Sequence, residues 1–160
     1  VGEDCSTYLN GLFVPSGNEH MDNHTYLDHA KPNCFSSECY KGILNDSSVG
    51  VFNGKVVVHQ DAQKIMAYQQ NNNLLLSDSA VINSKPELEI YADDVKCSHG
   101  STTGQLDQEA LFYLQSRGVS KSIATQLLMV GFVEEVIEQI QIDEIKEFFS
   151  NKISTLLSCN

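Results

Sequence analysis

Cys97, Ser98 and His99 form the tightest grouping of metal- or proton-handling side chains in this 160-residue sequence. On a β-strand, residues two apart point to the same face, so a Cys97 thiolate and the His99 imidazole are placed to meet one iron ion. The plainer reading is a buried cysteine next to a hydrogen-bonded histidine at a strand end. His20, His24, His29, Cys34 and Cys39 follow one another at steps of four or five. A zinc site usually shows a tight pair such as C-x2-C or H-x3-H on a defined hairpin or helix. His20 and His24 have that gap, yet residues 16–24 read as loop, so turn-lining and core positions are expected here. Asp93 and Asp94 suggest paired carboxylates for acid–base work. Adjacent strand residues face opposite ways, however, and the pair reads as a polar turn. His59 and Asp61 share a strand face but have no nucleophile near them.

Other chemistries are missing from the sequence. The glycines Gly50, Gly54, Gly100 and Gly104 are scattered, with no GxxxxGK[ST] phosphate loop. No Ser–His–acid or Cys–His arrangement has a catalytic context. Formal net charge is −11, with 13 acidic and 6 basic side chains in residues 1–106 and 8 and 4 in residues 107–160. A surface this acidic repels phosphate backbones and anionic lipid, so neither nucleic acid nor membrane is an expected partner. No apolar run approaches the roughly 20 residues of a membrane span, and no signal peptide is visible. The five cysteines, Cys5, Cys34, Cys39, Cys97 and Cys159, are odd in number and irregular in spacing. They read as reduced cytosolic thiols rather than a disulfide framework. The chain begins with Val1 and opens in strand and turn, as a piece of a longer protein would.

The elements that must position these residues change character near residue 106. Before it, β-rich runs of three to five residues, such as Val56-Val57-Val58, Leu74-Leu75-Leu76 and Leu88-Glu89-Ile90-Tyr91, are broken by Gly, Asn, Asp and Ser. A loose motif recurs at Leu27-Asp28-His29-Ala30, Leu44-Asn45-Asp46-Ser47, Val58-His59-Gln60-Asp61-Ala62, Leu76-Ser77-Asp78-Ser79-Ala80 and Tyr91-Ala92-Asp93-Asp94-Val95. Its starts are 17, 14, 18 and 15 residues apart. That drifting period is too short for a propeller blade of about 40 residues or a helical repeat of about 33. It fits rungs of a parallel β-helix, with Asn71-Asn72-Asn73 at a corner, since Asn tolerates left-handed backbone. A β-sandwich fits equally well. After residue 106 helix signals dominate. Asp107 caps a first helix through Leu111 and Leu114 to Arg117, stopped by Gly118. Ser120 caps a second carrying Ile123, Leu127, Val130, Glu134, Ile137 and Ile140, and Gly131 within it suggests a close backbone contact. Asp143 opens a third with Ile145, Phe148, Phe149 and Ile153.

The segment 24–140 resembles the SUF iron–sulfur cluster assembly family, the SufB/SufD family, and its SufD branch in particular. The resemblance rests on Tyr40-Lys41-Gly42-Ile43-Leu44, Val51-Phe52-Asn53-Gly54-Lys55, Ala62-Gln63-Lys64, Ala67-Tyr68-Gln69 and Asn73-Leu74-Leu75-Leu76-Ser77-Asp78. It continues through Lys85-Pro86-Glu87-Leu88-Glu89-Ile90, residues 92–100 and Leu111-Phe112-Tyr113-Leu114-Gln115-Ser116-Arg117-Gly118, with His24-Thr25, His29, Pro32 and Cys34 upstream. The SufB branch carries a Glu-His-Glu-Ala-like stretch where this chain has Lys96-Cys97-Ser98-His99-Gly100, and it lacks the Asp93-Asp94-Val95-Lys96 run. Met66 stands where many members have a polar residue.

The resemblance implies a right-handed parallel β-helix over residues 1–106 and a C-terminal helical domain over residues 107–160. It implies a non-enzymatic scaffold that pairs with SufB and docks the ABC-type ATPase SufC. Iron or an iron–sulfur cluster would be present transiently in the full complex, with none bound stably by this piece. It makes His99, and secondarily Cys97, the candidates for cluster assembly. The helical segment from Arg117 to Glu138 becomes the candidate ATPase dock, with Arg117, Gly118, Ser120 and Lys121 as contacts. The competing enzyme reading, a secreted-type β-helix acting on acidic polysaccharide, requires basic residues on one rung face, and the chain has only 10 Lys and Arg. A purely structural, self-associating β-helix is the third reading. An open β-helix end templates further pairing, so the isolated chain is expected to be a homodimer; a monomer by light scattering at high concentration would contradict this.

Overall fold

In the computed structural model, which describes residues 2–158, seven strands precede three helices. The strands are β1 (Ser6–Phe13), β2 (His20–His29), β3 (Phe35–Leu44), β4 (Val49–Val58), β5 (Ile65–Leu75), β6 (Val81–Ile90) and β7 (Val95–Gly104). The odd strands form one sheet, ordered β1-β3-β5-β7, and the even strands a second, ordered β2-β4-β6. Neighbours run parallel: Ser6 opposes Phe35, Phe35 opposes Met66, His20 opposes Val49 and Val49 opposes Val81. A chain that alternates between two parallel sheets winds as a coil. This is the parallel β-helix, and the sandwich is excluded.

The coil corrects two details of the sequence reading. Partners in adjacent coils lie 29 to 32 residues apart, so the loose period near sixteen is half a coil. Its motif marks alternate corners, at the ends of β2, β3, β4, β5 and β6 in turn. The strands are also 8 to 11 residues long, not three to five. Hydrophobicity picks out only their C-terminal ends because most inward positions nearer their middles, such as Glu38, Gly54, Gln69 and Asn71, are polar or small, with Phe52 the large exception.

Asn71, Asn72 and Asn73 do not form a corner. All three lie within β5, where burial alternates strictly and Ile65, Ala67, Gln69, Asn71 and Asn73 face inward. The left-handed corner positions are instead Asp4, Asn33, Lys64, Asp46 and Gly17. Asp4, Asn33 and Lys64 stack at one corner, tied by backbone bonds from Asp4 to Pro32, Asn33 to Gln63 and Lys64 to Asp94. Gly17 and Asp46 stack at the other, where the Gly17 amide donates to the Asp46 carboxylate at 2.9 Å.

Inside the coil, two apolar clusters flank a polar middle. One contains Cys34, Val56, Val58, Ala62, Ile65, Ala67 and Ala92, and the other Phe13, Leu44 and Ala80. Beside the first, His29 is buried and shares a 2.9 Å hydrogen bond with Ser36 Oγ.

The chain divides into two units, Val1–Thr103 and Gly104–Asn160. The second contains α1 (Gln108–Ser116), α2 (Lys121–Glu138) and α3 (Asp143–Ser158). Asp107 accepts from the amides of Glu109 and Ala110, Ser120 accepts from that of Ile123, and Gly118 takes φ +88° just past α1. The expected caps and stop are thus all in place. The expected face of α2 is met only at Ile137. Its buried residues are Ala124, Met129, Val133, Val136 and Ile137, while Ile123, Leu127 and Val130 are exposed and Ile140 follows the helix end. With apolar residues on most sides, α2 offers two stripes at helical spacing, and the stripe led by Ala124 is the buried one. Nothing lies within 4 Å of a Cβ built on Gly131, so the close contact expected there is absent. In α3, Ile153 and Leu157 are buried, and Ile145, Phe148 and Phe149 are exposed.

Burial holds the His29 imidazole below its ordinary value of 6.5, against the opposing pull of the Asp28 carboxylate. The unfolded chain therefore binds more protons than the native state near that value. The His29 contribution to stability is complete above pH 6.5 and is lost as pH falls below it towards the folded-state value. Thermal unfolding should show a midpoint that falls between about pH 7.5 and about pH 5.5, and His29→Gln should make that fall shallower.

Candidate functional site

The site begins with what the sheet register stacks on its inward face. Leu9 opposes Glu38, and Glu38 opposes Gln69. One position along, Gly11, Tyr40 and Asn71 stack, and beyond them Phe13, Gly42 and Asn73. The last strand continues these columns. Cys97 takes a backbone hydrogen bond from Ala67, and Thr102 Oγ1 donates to Asn72 Oδ1 at 2.9 Å. Both pairs are 30 residues apart, an offset that, carried along β7, sets His99 beside Gln69. Cys97 packs inward, and the alternation of strand side chains puts His99 on the same face. β7 is the edge of its sheet, so no described coil covers it, and His99 is exposed.

Behind His99 lies a buried polar column that hydrophobic patterning did not reveal. Glu38 is 2% exposed and Gln69 1%. Gln69 Nε2 donates to Glu38 Oε2 at 2.6 Å, while Glu38 Oε1 and Gln69 Oε1 have no hydrogen-bond partner among the described residues. Thr25, in register with Gly54, also holds a buried hydroxyl without a partner. Gly54 makes the room: a Cβ there would fall 2.4 Å from Gln69 Nε2 and 2.7 Å from Phe52 Cζ. Next to this column the amides of Asn71 and Asn73 hydrogen-bond each other at 2.8 and 3.4 Å. Asn71 Nδ2 also donates to the Tyr40 carbonyl and Asn73 Nδ2 to that of Thr102, at 3.2 and 3.4 Å. Burial, and then the Glu38 carboxylate, push the Tyr40 phenol up. Alternation of polar residues along β5 was the available signal for this column. It is the strand pattern of a half-buried sheet with polarity on the face that proves to be inside.

Cys97 packs against the apolar cluster of Val56, Ala67 and Ala92. Burial raises its thiol, and the Ala67 hydrogen bond opposes that. Its environment is that of a packing residue beside the site. The His/Cys series is not brought together. His20 and His24 point outward from β2, with His24 Nε2 2.9 Å from Asp22; His29 points inward, Cys34 joins the core, and Cys39 points outward from β3. No group of three or more His, Cys, Asp or Glu arranged to hold a metal occurs among the described residues. No disulfide joins Cys5, Cys34, Cys39 and Cys97, and Cys159 lies outside the described residues. Asp93 and Asp94 occupy the exposed turn before β7. His59 and Asp61 do not share a strand face: both lie in the corner after β4, where His59 Nε2 pairs with Asp28 Oδ1 at 2.7 Å.

In the helical unit, Arg117, Gly118 and Ser120 lie in the exposed link between α1 and α2, and Lys121 opens α2. Three have local roles: Arg117 lies over the Tyr113 ring at 5.3 Å, Gly118 adopts the left-handed turn, and Ser120 caps α2. The large exposed side chains nearby, Phe112, Tyr113, Ile123 and Leu127, are apolar or aromatic. They were missed because helical spacing assigns such residues to a core.

A family model described as "SUF system FeS cluster assembly, SufBD core domain" matches residues 1–132. The chain belongs to the SufBD family. It is 42% identical to the iron–sulfur cluster assembly protein SufD of Escherichia coli over 146 residues, covering 91% of this chain and 34% of that protein. It is 40% identical to a SufBD family protein of Synechocystis, covering 90% of this chain and 32% of the other. A chloroplastic Arabidopsis thaliana protein, ABCI7, is 38% identical, with 98% of this chain and 33% of that protein covered. The chain spans about a third of the length of these curated relatives. The family is that of the SUF system of iron–sulfur cluster assembly, and no described helix of this chain is long and apolar enough to cross a membrane.

These surroundings separate the two candidate ligands energetically. Cys97→Ala should cost about 1 kcal/mol of stability through lost packing, and His99→Ala should stay within about 0.5 kcal/mol of wild type. Chemical denaturation of the three proteins checks both values.

Proposed function

We propose that this chain is the cluster-facing and ATPase-docking part of a SufD-type scaffold subunit in a cytoplasmic complex with SufB and SufC. The observation that carries the proposal is the position of His99. It is an exposed imidazole on the inward face of an edge strand that pairs with only one described strand, β5. A partner strand added to β7 would cover the inward column and bring its own side chains against His99. His99 then presents a ring nitrogen to iron as cargo, and Cys97 keeps the strand packed. The subunit performs no catalytic step itself and holds no resident cofactor. ATP hydrolysis belongs to SufC, since the chain has no phosphate loop.

The α1–α2 link supports the second half of the reading. Arg117 and Lys121 are exposed there, two of only four basic residues after position 106. With Phe112, Tyr113, Ile123 and Leu127 exposed on the helices that flank the link, the unit offers the aromatic, apolar and cationic groups on which protein interfaces depend. The same unpaired β7 edge also suits a second copy of this chain when SufB is absent.

The test is the iron and acid-labile sulfide content of the full-length protein co-expressed with SufB and SufC, wild type beside His99→Ala. Loss of cluster from an intact three-protein complex is expected. Normal cluster content in the variant would reduce this subunit to an architectural partner.

A further inference from the structure

The buried column behind His99 has a directional chemistry. An accepting oxygen on Glu38 requires the Gln69 amide to present its nitrogen rather than its oxygen. The 2.6 Å bond from Gln69 Nε2 to Glu38 Oε2 fixes that orientation. The amide oxygen and nitrogen diverge from one carbon, so anchoring the nitrogen on β3 turns Gln69 Oε1 away from it. Gln69 Oε1 is fully buried and has no hydrogen-bond partner among the described residues. On the following strand, the 30-residue offset of the Cys97–Ala67 and Thr102–Asn72 bonds sets His99 beside Gln69.

We propose that Glu38 and Gln69 are positioning residues for His99: Glu38 orients the Gln69 amide, whose Oε1 accepts the imidazole N–H and turns the other ring nitrogen out of the coil. Gln69 Oε1 is unpaired among the described residues, and His99 supplies the N–H when its ring turns toward the coil. A histidine that binds metal through one nitrogen commonly donates its other N–H to a carbonyl or carboxylate, which fixes its tautomer and raises its basicity. Gly54 is part of the device, because any larger side chain would displace the Gln69 amide. The inference rests on the reading of His99 as the cluster-facing residue.

The test uses the full-length protein with 15N-labelled histidine rings, near pH 8, where a neutral imidazole reports its tautomer. His99→Ala identifies the resonances. Wild type should show one dominant His99 tautomer, and Glu38→Gln, which keeps an acceptor for Gln69 Nε2, should preserve it. Gln69→Leu should give a mixed pattern. Because Gln69→Leu also strands the buried Glu38 and can unfold the coil, Glu38→Leu/Gln69→Leu is measured beside it. Removing both polar partners is close to neutral for stability, yet the tautomer should again be mixed. Co-expressed with SufB and SufC, the double variant should retain at least about tenfold less iron and sulfide than wild type. A double variant with the wild-type ring pattern overturns the inference. The ring pattern needs no iron, so a His99→Ala complex with full cluster content would overturn the role of His99 and leave the positioning intact.

Discussion

Residues 29 to 32 apart must share one inward site, because parallel coils stack strand on strand in fixed register. Each inward side chain is judged by the residues above and below it as well as by those across the coil. A bulky ring in one coil therefore requires a small residue in the next: Phe13 lies against Gly42, and a Cβ on Gly42 would fall 2.5 Å from the Phe13 ring and 2.6 Å from Asn73 Oδ1. The same constraint acts on polarity. Glu38 is met inside by Gln69, which the next coil supplies at the same position, and Asn73 is satisfied by Asn71 and by the strand beyond. Stacking thus converts a one-dimensional sequence into columns, each with its own chemistry. His99 ends the one polar column that leads from the buried carboxylate to an uncovered strand.

Local chemistry was the legible part of the sequence. Asp107, Ser120 and Gly118 act within one turn of backbone, and each does what its residue type predicts. The shared face of Cys97 and His99 follows from strand geometry alone. Family resemblance supplied the choice of β-helix over sandwich. What stayed hidden was decided by neighbours distant in sequence. Asn71 and Asn73 look like corner residues because Asn suits left-handed backbone, yet they go inside, where they bond each other along β5 and the carbonyls of Tyr40 and Thr102 on the strands to either side. Lys64, which no turn preference favours, takes φ +58° at a real corner. The face that α2 buries could not be read from periodicity either, since Leu127 and Val133 are equally apolar and tertiary packing selects between them.

The two units expose different kinds of surface, and the difference suits different tasks. The end of the coil offers unpaired backbone, which is directional and sensitive to register, and it holds His99 at a defined place in any strand pair formed there. The helical unit offers side chains instead, with Phe112 71% exposed and Phe148 60% exposed. Apolar side chains of this size bind by area and shape, with less demand on register.

Corners of this coil also determine how such a chain can drift in length over evolutionary time. The links between successive strands vary from four to six residues, and a residue gained or lost there leaves the facing of every strand position unchanged. A single deletion at the start of β5 has no such outlet. It would turn Gln69, Asn71 and Asn73 to the outside and carry Tyr68, Gln70 and Asn72 into the interior. Length change in relatives of this chain should therefore collect at the stacked corners of Asp4, Asn33 and Lys64 and of Gly17 and Asp46. The strand interiors between them behave as fixed-length words.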